Sequence, residues 1–389
     1  MLSKEIKHIA IFTIFLIYAD GTPVPMNNGP PIPADKSQLD GWFQANVKPC
    51  NSRQKSVEPE LAAAEAGSRV IKVRMDGSGD FKTINDALNS IPSGNDTKRV
   101  ILWIGPGEYR EKVKIDGSKK FVTLYGSPNA IPTLTFDGTA AKYGTIDSAT
   151  LVVESDYFIA ANIIIKNSAP RPDGKRVGAQ AVALRVSGDK AAFYNCKVFG
   201  FQDTLCDHKG NHFFKDCYIE GTVDFIFGSG KSLYLNTELH VMGDGMSQFT
   251  VITAHARDSE NEDTGYSFVH CSITGRGSTY LGRAWKTSPR VVYAFTSMGK
   301  VVTPAGWTNN FHPERDRSVF YGEYQCSGAG STPKSRAKFT RQLTKEEVQP
   351  FLSLGYDNNL KVPNMAIYYM AVEENTGSAV CAFLSDYNY

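Results

Sequence analysis

The residues of this chain best placed to do chemistry are two aspartates that occupy the same position in a repeat. Residues 193–205 read FYNCKVFGFQDTL and residues 214–226 read FKDCYIEGTVDFI, each residue of the second run lying 21 positions after its counterpart. Phe193 matches Phe214, Cys196 matches Cys217, Gly200 matches Gly221, and Asp203 matches Asp224. If successive copies stack as coils, equivalent residues stand one strand spacing apart, about 4.8 Å. Two carboxylates that close cannot both ionise cheaply, so one holds its proton more tightly while the other stays charged. Such a split suits one acid to proton transfer and the other to nucleophilic or base work. Aspartate is also common at turns, where it caps backbone groups. Against that structural role, Phe199, Phe201, Leu205, Phe225, Ile226 and Phe227 crowd the pair in sequence.

The elements that must position these acids are short strands. From about residue 99 the chain runs through RVILWI, FVTLYG, ATLVVES, DYFIAANIIIKNS and QAVALRVSG, broken by Gly, Asn, Asp and Ser. A third copy of the repeat, FVHCSITG, occupies residues 268–275, and RVVYAFTSMG at 290–299 keeps the strand character without the cysteine. Repeats of about 20 residues made of strands and turns point to a solenoid. The leucine and asparagine ladder of a leucine-rich repeat is absent, and propeller blades have about twice this period. The reading is an all-β fold, a parallel β-helix. FKTINDALNSI (81–91) predicts an amphipathic helix with Phe81, Ile84, Leu88 and Ile91 on one side, placed to cap the open N-terminal end of the stack. Two further short helices are predicted over 37–47 and 57–67, after a Pro- and Gly-rich leader at 20–35.

A chain of 389 residues has room for a sizeable single core, and 41% hydrophobic with 21% charged residues is the composition of a globular protein. A net charge of +2 gives no overall pull toward nucleic acid. Lys4 and Lys7 followed by the apolar run Ile9–Ala19 have the outline of a signal peptide over residues 1–19, and the run is too short to span a bilayer. Secretion would make Asn95, in Asn95-Asp96-Thr97, a glycan acceptor. Seven cysteines are too few for a disulfide scaffold. Those in the repeat read as buried packing residues, and Cys196 and Cys217 could alternatively bridge if their rungs stack. Asp207, His208 and His212 lie in DHKGNH, but Gly210 and Asn211 argue against a helix presenting both histidines to a metal. Asp263-Thr264-Gly265 occurs once, in a polar loop, and no G-x-S-x-G elbow is present for a serine hydrolase.

With the acids placed, their surroundings resemble the plant pectin methylesterases. The family's G-x-Y-x-E is Gly107-Glu108-Tyr109-Arg110-Glu111, its QAVAL block is 180–184, its G-[FY]-Q-D-T-L is 200–205, its D-F-I-F-G is 224–228, and its L-G-R-P-W is LGRAW, Leu281–Trp285. The resemblance covers roughly 67–356 and implies a right-handed parallel β-helix at 67–357, with residues 20–66 as a leader and 358–389 as an atypical tail. It also implies a form without the inhibitor-like pro-domain many relatives carry. Residue by residue it implies Asp224 as nucleophile and Asp203 as general acid, then base. Gln180 and Gln202 would form the oxyanion hole, Arg283 would hold Asp224, and Trp285, Phe227 and Phe201 would contact sugar rings. Ala284 departs from the family's proline and is expected to loosen the turn between Arg283 and Trp285. The implied activity is hydrolysis of pectin methyl esters in the plant cell wall by a secreted monomer without cofactor or metal, open to a proteinaceous inhibitor. Alternatives are another β-helix enzyme of pectin, a polygalacturonase or pectate lyase, or an inactive wall-binding protein.

Overall fold

The computed structural model describes residues 30–47, 58–94, 97–243, 249–354, 370–372 and 379–381. The signal-peptide segment 1–19 and the sequon residue Asn95 lie outside the described residues. Among the described residues, no helix is long and apolar enough to cross a membrane.

Each of eight successive coils contributes one short strand to each of three parallel sheets, and one of these sheets carries three further strands, so that one has eleven and two have eight. One coil supplies Ala191–Tyr194, Lys197–Phe199 and Leu205–Asp207, and the next supplies Asn211–Lys215, Tyr218–Gly221 and Ile226–Gly228. Phe193 pairs with Phe214, Val198 with Ile219 and Leu205 with Ile226, so the 21-residue period is the pairing register. The fold is a parallel β-helix.

The corner between the first two strands of a coil explains the repeat's composition. Asn162, Asn195, Asp216, Asn236, His270, Phe295 and Gln325 occupy successive corners with φ between 46 and 57°, a left-handed conformation that Asn and Asp tolerate best. Their side chains form a ladder: Asn195 Nδ2 donates to Asn162 Oδ1 at 2.8 Å, and Asn236 Nδ2 donates to Asp216 Oδ1 at 2.6 Å. DYFIAANIIIKNS is accordingly two strands, Ile159–Ala161 and Ile164–Asn167, turned at Asn162.

After each corner comes a small buried donor. Cys196, Cys217, Cys271 and Cys326 direct their thiols to the carbonyl two residues back, and Thr237 and Thr296 direct hydroxyls to the same place. Threonine therefore replaces cysteine without loss of the bond, which is why the 290–299 strand lacks the cysteine yet keeps its place in the coil. The thiols of Cys196 and Cys217 are free, and burial pushes those of Cys271 and Cys326 up to about 12.

The bore is filled by stacked rings. Phe193, Phe214, Tyr234, Phe268 and Tyr293 follow one another at centroid separations of 4.5–4.7 Å. Rings at that spacing add about 0.5–1.5 kcal/mol per pair beyond area burial, and they hold consecutive coils in register.

The helix predicted at the N-terminal end is Ile84–Asn89 (α3), after Leu39–Asn46 (α1) and Pro59–Ala66 (α2). Ile84, Leu88 and Ile91 join the bore core, with Phe81 packed at its margin. Thr83 caps α3, and Glu111 accepts the Ile84 and Asn85 N–H groups at 2.9 Å each. The last residue of Gly107–Glu111 is thus a helix cap, which completes the orphan donors of the first turn. Leu39, Phe43 and Val47 pack on the outside of the eleven-stranded sheet, where Phe43 stacks with Phe213 at 6.3 Å. In the atypical tail, Met370–Val372 and Ala379–Cys381 form an antiparallel pair.

Candidate active site

Asp203 and Asp224 lie two residues before Leu205 and Ile226, which pair directly, so the acids are neighbours on adjacent rungs of one eight-stranded sheet. Both sit at positive φ, 65° and 50°, in the turn that enters the strand. The turns are tied to one another, since the Asp203 N–H donates to the Val223 carbonyl at 3.0 Å. Two nearby glycines are required by this packing. A Cβ at Gly221 would stand 2.2 Å from the Phe225 Cβ, and one at Gly282 would stand 2.5 Å from Thr253 Oγ1 and 3.0 Å from the Trp307 ring.

The environments of the two acids differ. Arg283 grips Asp224 with both arms, Nε donating to Oδ1 at 2.7 Å and Nη2 to Oδ2 at 2.5 Å. This is the fork geometry that matches a carboxylate. Burial pulls the Arg283 guanidinium down, but bonding to Asp224 and the charges of both acids outweigh it and raise it overall. Asp203 has no such clamp. Its burial, reinforced by the Asp224 charge and only partly offset by Arg283, holds its carboxyl well above the usual carboxylate range. One acid is thereby pinned by a two-armed fork, and the other has its proton affinity raised by burial.

Gln180 and Gln202 are brought together: the Ala181 N–H, beside Gln180, donates to the Gln202 carbonyl at 3.2 Å. Both side chains are half-buried, and neither amide is engaged by another described residue. Trp285 is 37% exposed, with its ring 6.2 Å from Phe227 and edge-on to it. Phe227, only 6% exposed, packs in a small apolar cluster with Val152, Val182, Cys206 and Ala254 on the outer face of the sheet. It supports Trp285 more than it offers a surface of its own. Phe201 is half-buried, with the Arg171 guanidinium 5.8 Å over its ring.

The turn expected to be loosened by Ala284 is tied down. Ala284 is fully buried, and its N–H, which a proline would lack, donates to the Thr308 carbonyl at 3.0 Å. Arg315 Nη1 donates to the Ala284 and Trp285 carbonyls at 2.6 and 3.1 Å. Arg315 escaped sequence reasoning because it lies 30 residues from the turn it holds, in a polar loop with no periodicity.

The DHKGNH segment is structural. Asp207 and His212 are buried in the bore, with His212 Nδ1 2.6 Å from Asp207 Oδ1 and Nε2 3.0 Å from the Gly188 carbonyl, while the Tyr234 hydroxyl donates to Asp207 Oδ2 at 2.6 Å. Among the described residues, no cluster of His, Cys, Asp or Glu is arranged to hold a metal.

Comparison with known proteins agrees with this fold. The pectinesterase family profile matches residues 70–356. Pectinesterase 2 of Olea europaea is 57% identical over 327 residues, covering 84% of this chain and 88% of its own. Pectinesterase QRT1 of Arabidopsis thaliana is 43% identical over 73% of this chain and 76% of its own. The pectin methylesterase from carrot superposes with a TM-score of 0.69 at 32% identity, over 75% of this chain and 95% of its own. The β-helix is right-handed, as in these structural relatives. The chain belongs to the pectinesterase family.

Proposed function

We propose that the acid pair hydrolyses the C6 methyl esters of homogalacturonan through an acyl-enzyme on Asp224. The reaction, methyl ester hydrolysis on pectin, is that of the family. A related pectin methylesterase, 29% identical with a TM-score of 0.61, has been solved in complex with a hexasaccharide, which supports a sugar chain as the occupant of this face.

An Asp224 oxygen attacks the C6 carbonyl, using a lone pair that the Arg283 fork leaves free. The carbonyl oxygen becomes an oxyanion, and the amides of Gln180 and Gln202 stabilise it without adding a competing charge. Collapse breaks the bond to the methoxy oxygen. Asp203 gives that oxygen its proton, so methanol leaves and Asp203 becomes a carboxylate. Water then attacks the acyl carbon, Asp203 takes its proton, and the anhydride bond to Asp224 breaks, returning the Asp224 carboxylate. The products are a galacturonic acid, which loses its proton to solvent and becomes the carboxylate, and an enzyme with both acids restored. The observation that carries this reading is the unequal treatment of two in-register acids, one forked by arginine and one held protonated by burial. Trp285 stacks on a sugar ring, with Phe227 beneath it and Phe201 further along.

The protein acts as a secreted monomer in the plant cell wall, its leader removed near Ala19, with a proteinaceous inhibitor as a further partner. N-terminal sequencing of the secreted protein checks the cleavage. The activity is tested by incubation with highly methylated pectin while methanol, chain length and unsaturated product are followed together. Methanol without chain shortening is expected. Depolymerisation without methanol would mean glycosidase or lyase chemistry instead, and no reaction would leave a wall-binding protein.

A further inference from the structure

Phe311, in the loop that follows the strand Trp307–Thr308, is 93% exposed. Its backbone is in the left-handed region at φ 63°, directly after Asn310 at 58°. Asparagine tolerates that region, but for a bulky aromatic it is an outlier that must be held by its surroundings. The loop supplies the hold. The Asn310 N–H donates to Thr308 Oγ1 at 3.1 Å, the His312 N–H donates to the Asn309 carbonyl at 3.1 Å, and Asn309 Nδ2 donates to Asp316 Oδ1 at 2.9 Å. From the same loop, Arg315 reaches the carbonyls of Ala284 and Trp285. A tightly bonded loop is therefore fastened to the turn bearing Trp285, and it turns a phenyl ring into solvent at a cost in backbone strain.

The register places that ring relative to the acids. Thr308 pairs with Arg283 on the neighbouring rung. Trp285 leaves the sheet two residues after Arg283, and Phe311 leaves it three residues after Thr308. Both rings thus follow the ends of neighbouring strands of one sheet, with Phe311 on the rung farther from the acid pair along the stack. Aromatic faces offered in series to solvent suit the apolar faces of successive sugar rings, and two χ angles make a phenyl ring cheap to order.

Building on the pectin esterase reading, we propose that Phe311 is a stacking platform for a sugar ring of the pectin chain beyond the one held by Trp285, so that it sets preference for long chains and takes no part in the chemistry. The test compares Phe311→Ala, Phe311→Tyr and Phe311→Gly with the wild type. Methanol release is followed on a short methylated oligogalacturonide spanning only the rings around the acids, and on long methylated pectin. Loss of one aromatic contact is expected to raise KM on the long substrate by about threefold to tenfold. KM on the short substrate and kcat on both should stay unchanged, and Phe311→Tyr should restore the long-chain KM. Phe311→Gly should lose chain preference as Phe311→Ala does, yet melt at a higher temperature than Phe311→Ala, because glycine adopts positive φ freely. The proposal is overturned if Phe311→Ala leaves the long-chain KM unaltered or raises both KM values equally. It is likewise overturned if the only change is in self-association by light scattering, which would assign the ring to a protein contact. Failure of the wild type to release methanol from either substrate would instead overturn the esterase reading on which the proposal rests.

Discussion

Replacing Arg283 by lysine keeps the charge beside the acids and removes the fork, so it isolates what geometry contributes. The wild-type guanidinium makes two charge-assisted bonds to Asp224, at 2.7 and 2.5 Å, in a site where the Arg283 side chain is 18% and that of Asp224 8% exposed. Bonds to charged groups are worth about 1.5–3 kcal/mol each, and shielding this complete leaves little to discount for solvent. An ammonium can replace one of the two, so about 1.5–3 kcal/mol of positioning is lost, or about tenfold to 150-fold in kcat/KM. Arg283→Gln removes the charge as well, leaves Asp224 uncompensated, and should cost about 3–5 kcal/mol. The pH profile separates the two variants. Arg283 lowers the proton affinity of Asp203, so its neutralisation should move the alkaline limb of kcat/KM to higher pH, where Asp203 finally loses the proton it must donate. Arg283→Lys should leave that limb in place. Initial rates of methanol release across pH give both readouts. A lysine variant within twofold of wild type would show that the fork does not position the nucleophile, and a limb that moves down in Arg283→Gln would show that Asp203 is not the group being read.

Asp224→Asn should abolish turnover and any acyl-enzyme; it also removes a charge that helps keep Asp203 protonated, so the Asp203 carboxyl should titrate lower by NMR, and near-normal methanol release would make the nucleophile assignment wrong. Asp203→Asn should be inactive but more stable: a folded-state pKa raised above the unfolded value of about 3.9 makes wild-type stability decline as pH rises from about 4 until the buried carboxyl has ionised. The variant's advantage in Tm should therefore be absent below about pH 4 and full at higher pH, and an equal gain at every pH would contradict the titration. Asp207→Ala strands His212 and Tyr234 in the bore and should cost about 3–5 kcal/mol in urea unfolding, while a chelator should leave the wild-type Tm untouched; a chelator-induced drop would mean that the cluster holds a metal.

What could be read without coordinates follows from how far each signal travels along the chain. The coil register was legible because it repeats locally: Phe193 and Phe214 differ by one period, and that period is the strand pairing. The same logic failed wherever two side chains do one job. The coil at Thr237 and the one at Thr296 are hard to see in a search for cysteine, because the corner needs only a small buried donor and hydroxyl serves as well as thiol. The acids were found because they belong to the repeat, whereas the device that makes them unequal does not. Arg283 comes from two rungs beyond Asp224, in the eight-stranded order, and was placed only through the resemblance of LGRAW to a known motif.

Arg315 and Phe311 lie still further along and repeat nothing. A solenoid brings distant residues together by stacking, so its backbone is periodic while its site is assembled from the departures from that period. The acids share a periodic position and would be equivalent by the repeat alone; the differences come from what stacks on them. Asp203 has burial and a neighbouring charge, and Asp224 has the arginine. It follows that moving the fork, and not either acid, is the change that would test whether their roles are set by position in the stack. A variant in which an arginine one rung earlier clamps Asp203 and Arg283 is neutralised should exchange the roles and make Asp224 the acid less favoured to ionise. Its alkaline limb would then report Asp224.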